Sequence, residues 1–246
     1  MPRSILLLQV RDASDPMRVH EVECFRTAMG LSDSEAATFD LLNGALPKSL
    51  VDSASMVLLG GSGKYSAAGE GAWMERALDS LRLVYESKTP TFASCWGFQA
   101  MARAMGGTVE HHPENAEVGT YTIELTDEGR RDALFGQCGE RFAGHLGHED
   151  FVTRLPPRTT LLAHTERSRQ AFRFDDRPIY CTQFHPELTK ADMVARLTAY
   201  PEYVERIDGK PGKDPTTLDD TPVAAGLLKQ FASLFLNETD ESGELL

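Results

Sequence analysis

The chain has 246 residues, 41% of them hydrophobic and 25% charged, with a formal net charge of −12. That balance is ordinary for a globular chain long enough to bury a substantial core, and its acidity argues against a nucleic acid or an anionic membrane as partner. No apolar run approaches the length of a membrane span. Met1-Pro2-Arg3-Ser4 leads straight into a short apolar run without the long hydrophobic region of a signal peptide. The four cysteines (Cys24, Cys95, Cys138 and Cys181) show no close pairing pattern. The expectation is a reducing, cytoplasmic setting.

In chain order, Ser4 to Val10 reads as a first strand of continuous apolar character, as in a sheet covered on both faces. Asp15 is placed to cap a helix beginning at Pro16, in which Val19, Val22, Phe25 and Met29 recur at helical spacing until Gly30. Thr38 to Leu42 and Met56 to Leu59 are short strands, the second running into Gly60-Gly61-Ser62-Gly63. Glu70 to Ser87 is a long helix with Trp73, Ala77, Leu81 and Val84 on one face. This strand–helix alternation predicts an α/β fold with a mixed, mostly parallel central sheet flanked by helices. After Gly106-Gly107 the runs Thr120–Leu125, Leu161–His164, Gln170–Phe174 and Ile179–Gln183 read as an antiparallel or mixed extension of that sheet. Met193 to Ile207 is helical with a break near Pro201, Asp208 to Pro222 is an exposed loop, Val223 to Leu236 is a closing amphipathic helix, and the tail from Asn237 is polar and frayed. One large domain over residues 1–190 with a helical C-terminal extension over 191–246 is expected.

The stretch that organises the chain is Pro90 to Ala102. A short apolar strand, Thr91 to Ala93, is followed by Cys95, Gly97 and a run of helix formers, the layout of a nucleophile elbow. A helix N-terminus beside the sulfur favours thiolate over thiol, and the Trp96 N–H points where an oxyanion would form. A buried, inert cysteine ahead of a helix would show the same local pattern. A second stretch, Gln183-Phe184-His185-Pro186-Glu187, supplies a candidate base in His185 and a candidate orienter of its imidazole in Glu187. Two other motifs fail on inspection. Gly61-Ser62-Gly63-Lys64 is not a phosphate loop, because Leu58 and Tyr65 stand where Gly and Ser or Thr are needed. His111-His112 and His145/His148 lack the further ligands of a metal site.

Taken together, Cys95-Trp96-Gly97-Phe98-Gln99 and His185-Pro186-Glu187 resemble the class I, triad-type glutamine amidotransferases. Glu117-Val118-Gly119, Leu125-Thr126-Asp127-Glu128-Gly129 and Gly147-His148-Glu149-Asp150-Phe151-Val152 are similar to segments of the GMP-synthase-like branch. The resemblance covers roughly residues 5 to 190. It implies a flavodoxin-like fold and a Cys95–His185–Glu187 triad. It implies an oxyanion hole from Gly61 and Trp96, and substrate contacts from Gln99, Gly147, His148 and Glu149. The reaction so implied is hydrolysis of a γ-glutamyl amide, which needs no cofactor or metal. Ala93 and Gly147 depart from the family pattern, which has glycine and serine there. The chain shows no ATP-pyrophosphatase loop, so the implied partners are glutamine and a separate synthetase subunit; self-association as a homo-oligomer is left open. The alternative is a stand-alone γ-glutamyl peptidase or hydrolase using the same triad. A non-catalytic module, or a redox protein built on a cysteine elbow, would not call for the His-Pro-Glu stretch. If ammonia release must await a partner, the glycine-rich Gly60–Ser66 segment is the expected place for slack.

Overall fold

Every residue of β1 (Ile5–Val10) is buried, because the strand is covered on both faces. The computed structural model describes residues 4–32, 35–201 and 218–236. β1 pairs in parallel with β2 (Ala36–Asp40) on one side and β3 (Met56–Ser62) on the other. β3 continues in parallel to β4 (Thr91–Ser94), and β4 to β11 (Ile179–Thr182). Beyond β11 the pairing turns antiparallel through β10 (Arg169–Phe174), β9 (Thr159–His164), β6 (Glu117–Leu125) and β7 (Arg141–His148). The result is a nine-stranded mixed sheet in the order β2-β1-β3-β4-β11-β10-β9-β6-β7. β5 (Thr108–His111) and β8 (Asp150–Arg154) form a separate antiparallel pair.

Side chains alternate across the sheet and feed two cores. Leu6, Leu8, Val57 and Leu59 pack against α3 (Ala72–Ser87) and α4 (Trp96–Ala104). Ile5, Leu7, Leu58 and Phe92 point the other way, against α1 (Met17–Met29) and α7 (Pro222–Leu236). Three further helices are α2 (Lys48–Ser53), α5 (Asp127–Arg131) and α6 (Lys190–Ala199). Thr189 and Asp192 close a reciprocal capping box at the start of α6. Among the described residues no helix is long and apolar enough to cross a membrane.

The α/β architecture is the one the sequence predicts, with corrections in detail. β2 lies two residues earlier than expected, and β3 runs on through Ser62, so Gly60 and Gly61 are strand residues and not loop. Val19 does not face the core: it is 69% exposed, and Glu21 takes the buried position near it. β11 is the strand at which the extension becomes mixed, pairing in parallel with β4 and antiparallel with β10. α6 starts at Lys190 and ends at Ala199, before Pro201, as the restriction on residues preceding proline requires. The expected helix beyond residue 201, most of the Asp208–Pro222 loop and the tail from Asn237 lie outside the described residues.

α7 is integral to the second core. The Phe231 ring lies 5.3 Å from Phe92 of β4, 5.8 Å from Tyr180 of β11 and 4.8 Å from Phe235. Phe231 is fully buried. Phe231→Ala should therefore lower the stability of the whole protein by about 3–5 kcal/mol, read as a fall in the urea midpoint at unchanged m-value.

Candidate active site

The turn from β4 into α4 is sharp, and Cys95 is its apex. Cys95 has φ 51° and ψ −104°, a positive-φ conformation uncommon outside glycine. The surroundings enforce it. Cys95 N–H donates to the Thr182 carbonyl of β11 at 2.8 Å, and the Cys95 carbonyl accepts from Gln99 N–H at 3.2 Å. α4 lies directly on β3 because Gly97 has no side chain; a Cβ there would stand 2.6 Å from Leu59 Cβ and 3.2 Å from Ala93 Cβ. Ala93, where the family pattern has glycine, is thus a close neighbour of Gly97 in the turn.

Past β11 the chain brings His185 and Glu187 to the same end of the sheet. His185 Nδ1 lies 2.7 Å from Glu187 Oε1, and both side chains are buried. The His185 backbone N–H donates to the His145 carbonyl of β7 at 2.9 Å. Burial alone would push the His185 imidazole down, but Cys95 and Glu187 beside it override this and raise it to about 9. Burial would raise the Glu187 carboxyl; His185 first and then Arg196 pull it down to about 2. Burial first and then the nearby His185 lower His145 to about 4, outweighing the opposite pull of Asp220, Glu187 and Asp192. Gly61 completes the cluster: a Cβ on it would lie 3.2 Å from His185 Cε1 and 3.8 Å from Cys95 Cβ. The structure therefore brings Cys95, His185, Glu187, Gly61 and the start of α4 at Trp96 into one place.

Cys95 opens into a cleft of about 380 Å³, whose walls include Ser62, Lys64, Gln99, Gly147, His148 and Glu149. All four sequence-predicted substrate residues are thus at the cleft. Their polar groups are not equally free. The two N–H groups of the Gln99 amide go to the Asp150 carbonyl at 2.9 Å and to Gln183 Oε1 at 3.1 Å. His148 places Nδ1 3.0 Å from the Asp150 carbonyl and Nε2 3.1 Å from Glu117 Oε2, so it braces the wall. The Cys95 sulfur lies 3.9 Å from the Gly147 carbonyl. The Trp96 indole is buried, near-parallel to Trp73 at 6.4 Å, and belongs to the core as much as to the cleft.

Three groups that shape the site have no role in the sequence reading, although Glu117 and Asp150 stand within segments quoted there. Asp150 ties the cleft wall together: Oδ2 accepts from Ser66 Oγ and Ala67 N, each at 2.7 Å, and Oδ1 lies 2.8 Å from His111 Nδ1. Glu117, fully buried, accepts from Thr165 at 2.8 Å and also from Ser168, besides facing His148. Arg196 of α6 approaches Glu187 Oε1 at 3.5 Å. The signal for the last was a charged residue in phase with an apolar helical stripe, Met193 and Leu197 being its buried neighbours. In Gly60–Ser66, the expected place for slack, the resting contacts are these. Gly60 and Gly61 are in β3, Tyr65 O–H donates to Asp12 at 2.6 Å, and Ser66 is held by Asp150.

Of metal-binding donors, His20, Cys24 and Asp192 gather at the α1–α6 contact. Cys24 Sγ is nearly equidistant from both ring nitrogens of His20, at 3.6 and 3.7 Å. The sulfur therefore lies over the ring face and off the lone-pair direction a metal would need. His145 and His148 turn to different partners, Thr120 and Glu117.

The sequence matches the family described as glutamine amidotransferase class-I over residues 36–199. The chain belongs to the class I glutamine amidotransferase family. Among similar proteins, the GMP synthase of Rhodopseudomonas palustris is 33% identical over 132 residues, 52% of this chain and 24% of that protein. A glutamine-hydrolyzing GMP synthase subunit from Methanothermobacter thermautotrophicus is 32% identical over 124 residues, 49% of this chain and 63% of that protein. The chain thus spans about a quarter of the first relative and under two thirds of the second. A crystal structure of a glutamine amidotransferase from Thermotoga maritima superposes with a TM-score of 0.75 at 21% identity, covering 96% of this chain and 99% of that one. That likeness carries the fold, a large mixed sheet flanked by helices as found here.

Gly97→Ala tests the elbow of this family member. The added methyl must displace α4 from β3, so stability should fall by about 1–3 kcal/mol, measured by urea unfolding. Alkylation of Cys95 by iodoacetamide should slow in parallel, because the sulfur moves with the helix.

Proposed function

We propose that this amidotransferase hydrolyses the side-chain amide of glutamine and releases ammonia to a separate acceptor. What carries the reading is Cys95, held at a positive-φ apex beside the buried His185–Glu187 pair and open to a cleft. In the proposed reaction His185 first takes the Cys95 thiol proton, and the Sγ thiolate then attacks the side-chain carbonyl carbon. Glu187 holds the imidazole tautomer and stabilises its charged form. The N–H groups of Gly61 and Trp96 stabilise the oxyanion. The tetrahedral species collapses as His185 passes its proton to the leaving nitrogen, giving ammonia and a γ-glutamyl thioester. Water, deprotonated by His185, then cleaves the thioester to glutamate and restores the Cys95 thiol. Gln99, Gly147, His148 and Glu149 form the pocket for the amino acid end, with Gln99 and His148 acting chiefly as supports.

The acceptor is assigned to a separate synthetase by analogy with one relative that is by name a single subunit of a GMP synthase. We take residues 1–190 as the amidotransferase domain and 191–246 as a helical extension packed on it. The four cysteines are free and buried, which suits a reducing, cytoplasmic setting.

One assay set with purified protein tests this: glutamine, a γ-glutamyl peptide and simple γ-glutamyl amines. Turnover of glutamine that rises when a synthetase partner is added supports the proposal. High kcat/KM on the γ-glutamyl peptide with negligible glutaminase activity would instead establish a stand-alone γ-glutamyl hydrolase. In either case Cys95→Ala should abolish turnover with the fold intact, measured by circular dichroism. Glu187→Gln should lose less, roughly tenfold to several-hundredfold in kcat/KM, because it acts through the imidazole. It also removes one of the two groups that raise His185, so the alkaline limb of the pH–rate profile should move down from about pH 9 toward neutrality.

A further inference from the structure

Behind the His185–Glu187 pair lies a chain of buried charge. Arg196 of α6 places Nη1 3.5 Å from Glu187 Oε1 and 3.3 Å from His185 Nδ1. Glu187 Oε1 also takes the His185 contact at 2.7 Å, so two donors converge on one oxygen. The other end of Arg196 lies 3.9 Å from Glu21 of α1, itself fully buried. Glu21 in turn binds Arg11 at 3.1 Å and accepts from Gln9 at 2.9 Å. Arg11 reaches Asp15 at 3.1 Å and the Tyr200 hydroxyl at 2.8 Å. Gly60 makes room for Glu21, whose carboxylate a Cβ there would strike.

The network is not built for stability alone. Arg196 Nε and Nη2 are buried without a hydrogen-bond partner, and so is Glu187 Oε2. Unsatisfied buried charges of this kind cost stability, and well-packed apolar side chains of similar volume would serve the fold better. The charge count is informative. Asp15, Glu21 and Glu187 supply three carboxylates against the two guanidinium groups of Arg11 and Arg196. An imidazolium at His185 completes the balance of these three carboxylates, and a thiolate at Cys95 would leave the group one positive charge short. Cys24 and Asp192 also face Arg196 from the α1–α6 contact, and His145 faces His185 from β7.

We infer that Arg196 is a positioning residue of this site: it fixes Glu187 Oε1 against His185 and holds a fixed positive charge at Gly61, the same residue that faces Cys95. The inference rests on the triad reading above. It does not depend on which γ-glutamyl compound is the substrate. It places part of the machinery in α6, on the helical extension.

The test is the pH dependence of Cys95 alkylation by iodoacetamide, read by peptide mass spectrometry without any substrate, for wild type, Arg196→Gln and Arg196→Lys. With Arg196→Gln the midpoint should rise by about half to one pH unit, the thiolate having lost a nearby cation. kcat should fall tenfold or more with KM little changed. Arg196→Lys keeps the charge but loses the forked geometry, so its midpoint should stay within about 0.3 unit of wild type while kcat still falls. In the double variant with Glu187→Gln the loss in kcat should be smaller than the product of the two single losses. A folded Arg196→Gln protein with an unmoved midpoint overturns the inference. If that variant does not fold, an Arg196→Lys protein with wild-type kcat overturns it. Should wild type turn over no γ-glutamyl substrate while the midpoint still shifts, the proposed reaction fails and the role of Arg196 stands.

Discussion

The backbone of Cys95 is the constraint on which the rest of the site depends. A positive φ at a residue with a side chain costs of order 1–3 kcal/mol and persists only where neighbours over-determine it. Here β11 holds the amide, the first turn of α4 holds the carbonyl, and the absence of a side chain at Gly97 lets α4 sit directly on β3. That close seating puts the sulfur at a helix N-terminus, where the local field favours negative charge. It also aims the sulfur between Gly61 and Gly147, toward the cleft.

Charge is managed around that apex by pairing and not by exposure. His185, Glu187, Arg196, Glu21 and Arg11 are all nearly or wholly buried, so each can keep its charge only through the next. The opposed shifts of His185 upward and Glu187 downward express this coupling, each overriding the burial that acts against it. On the far wall Glu117 and Asp150 play a comparable part with neutral donors and histidines, holding β6, β8, β10 and the segment after β3 in register. The cleft is therefore firm on both sides, and a partner that acts on it meets a wall already fixed by hydrogen bonds.

Much of this was legible in the sequence, and the reasons divide cleanly. The unbroken apolar runs of β1 and β3 gave their place in a covered parallel sheet; the Cys95 stretch was informative because it combines an unusual backbone demand with a reactive side chain, and the His185 stretch because it sets a carboxylate two residues from an imidazole. What was hidden depended on contacts across the chain. Val19 looked like a core residue by spacing alone, yet the buried slot on α1 belongs to Glu21, whose partner Arg11 lies ten residues earlier and whose space is provided by Gly60. β7 carries Gly144, His145 and Gly147 among its apolar residues, which breaks the alternation that marks a strand. Gly60 and Gly61 suggested a loop from composition, whereas they lie within β3, at a register shift in its pairing with β1.

The placement of β11 has a consequence for how the protein comes into being. β4 ends at Ser94, and its neighbour begins at Ile179, so the sheet stays open beside the elbow until more than eighty intervening residues have been laid down. Contacts of such long sequence separation form late and slow the folding of parallel sheets. The Cys95 amide has no partner before Thr182 arrives, and His185 and Glu187 come three and five residues behind it. A chain that stops short of Thr182 lacks the bond that holds the Cys95 amide, so the backbone of the apex is fixed by the same docking event that closes the sheet and brings His185 and Glu187 beside it.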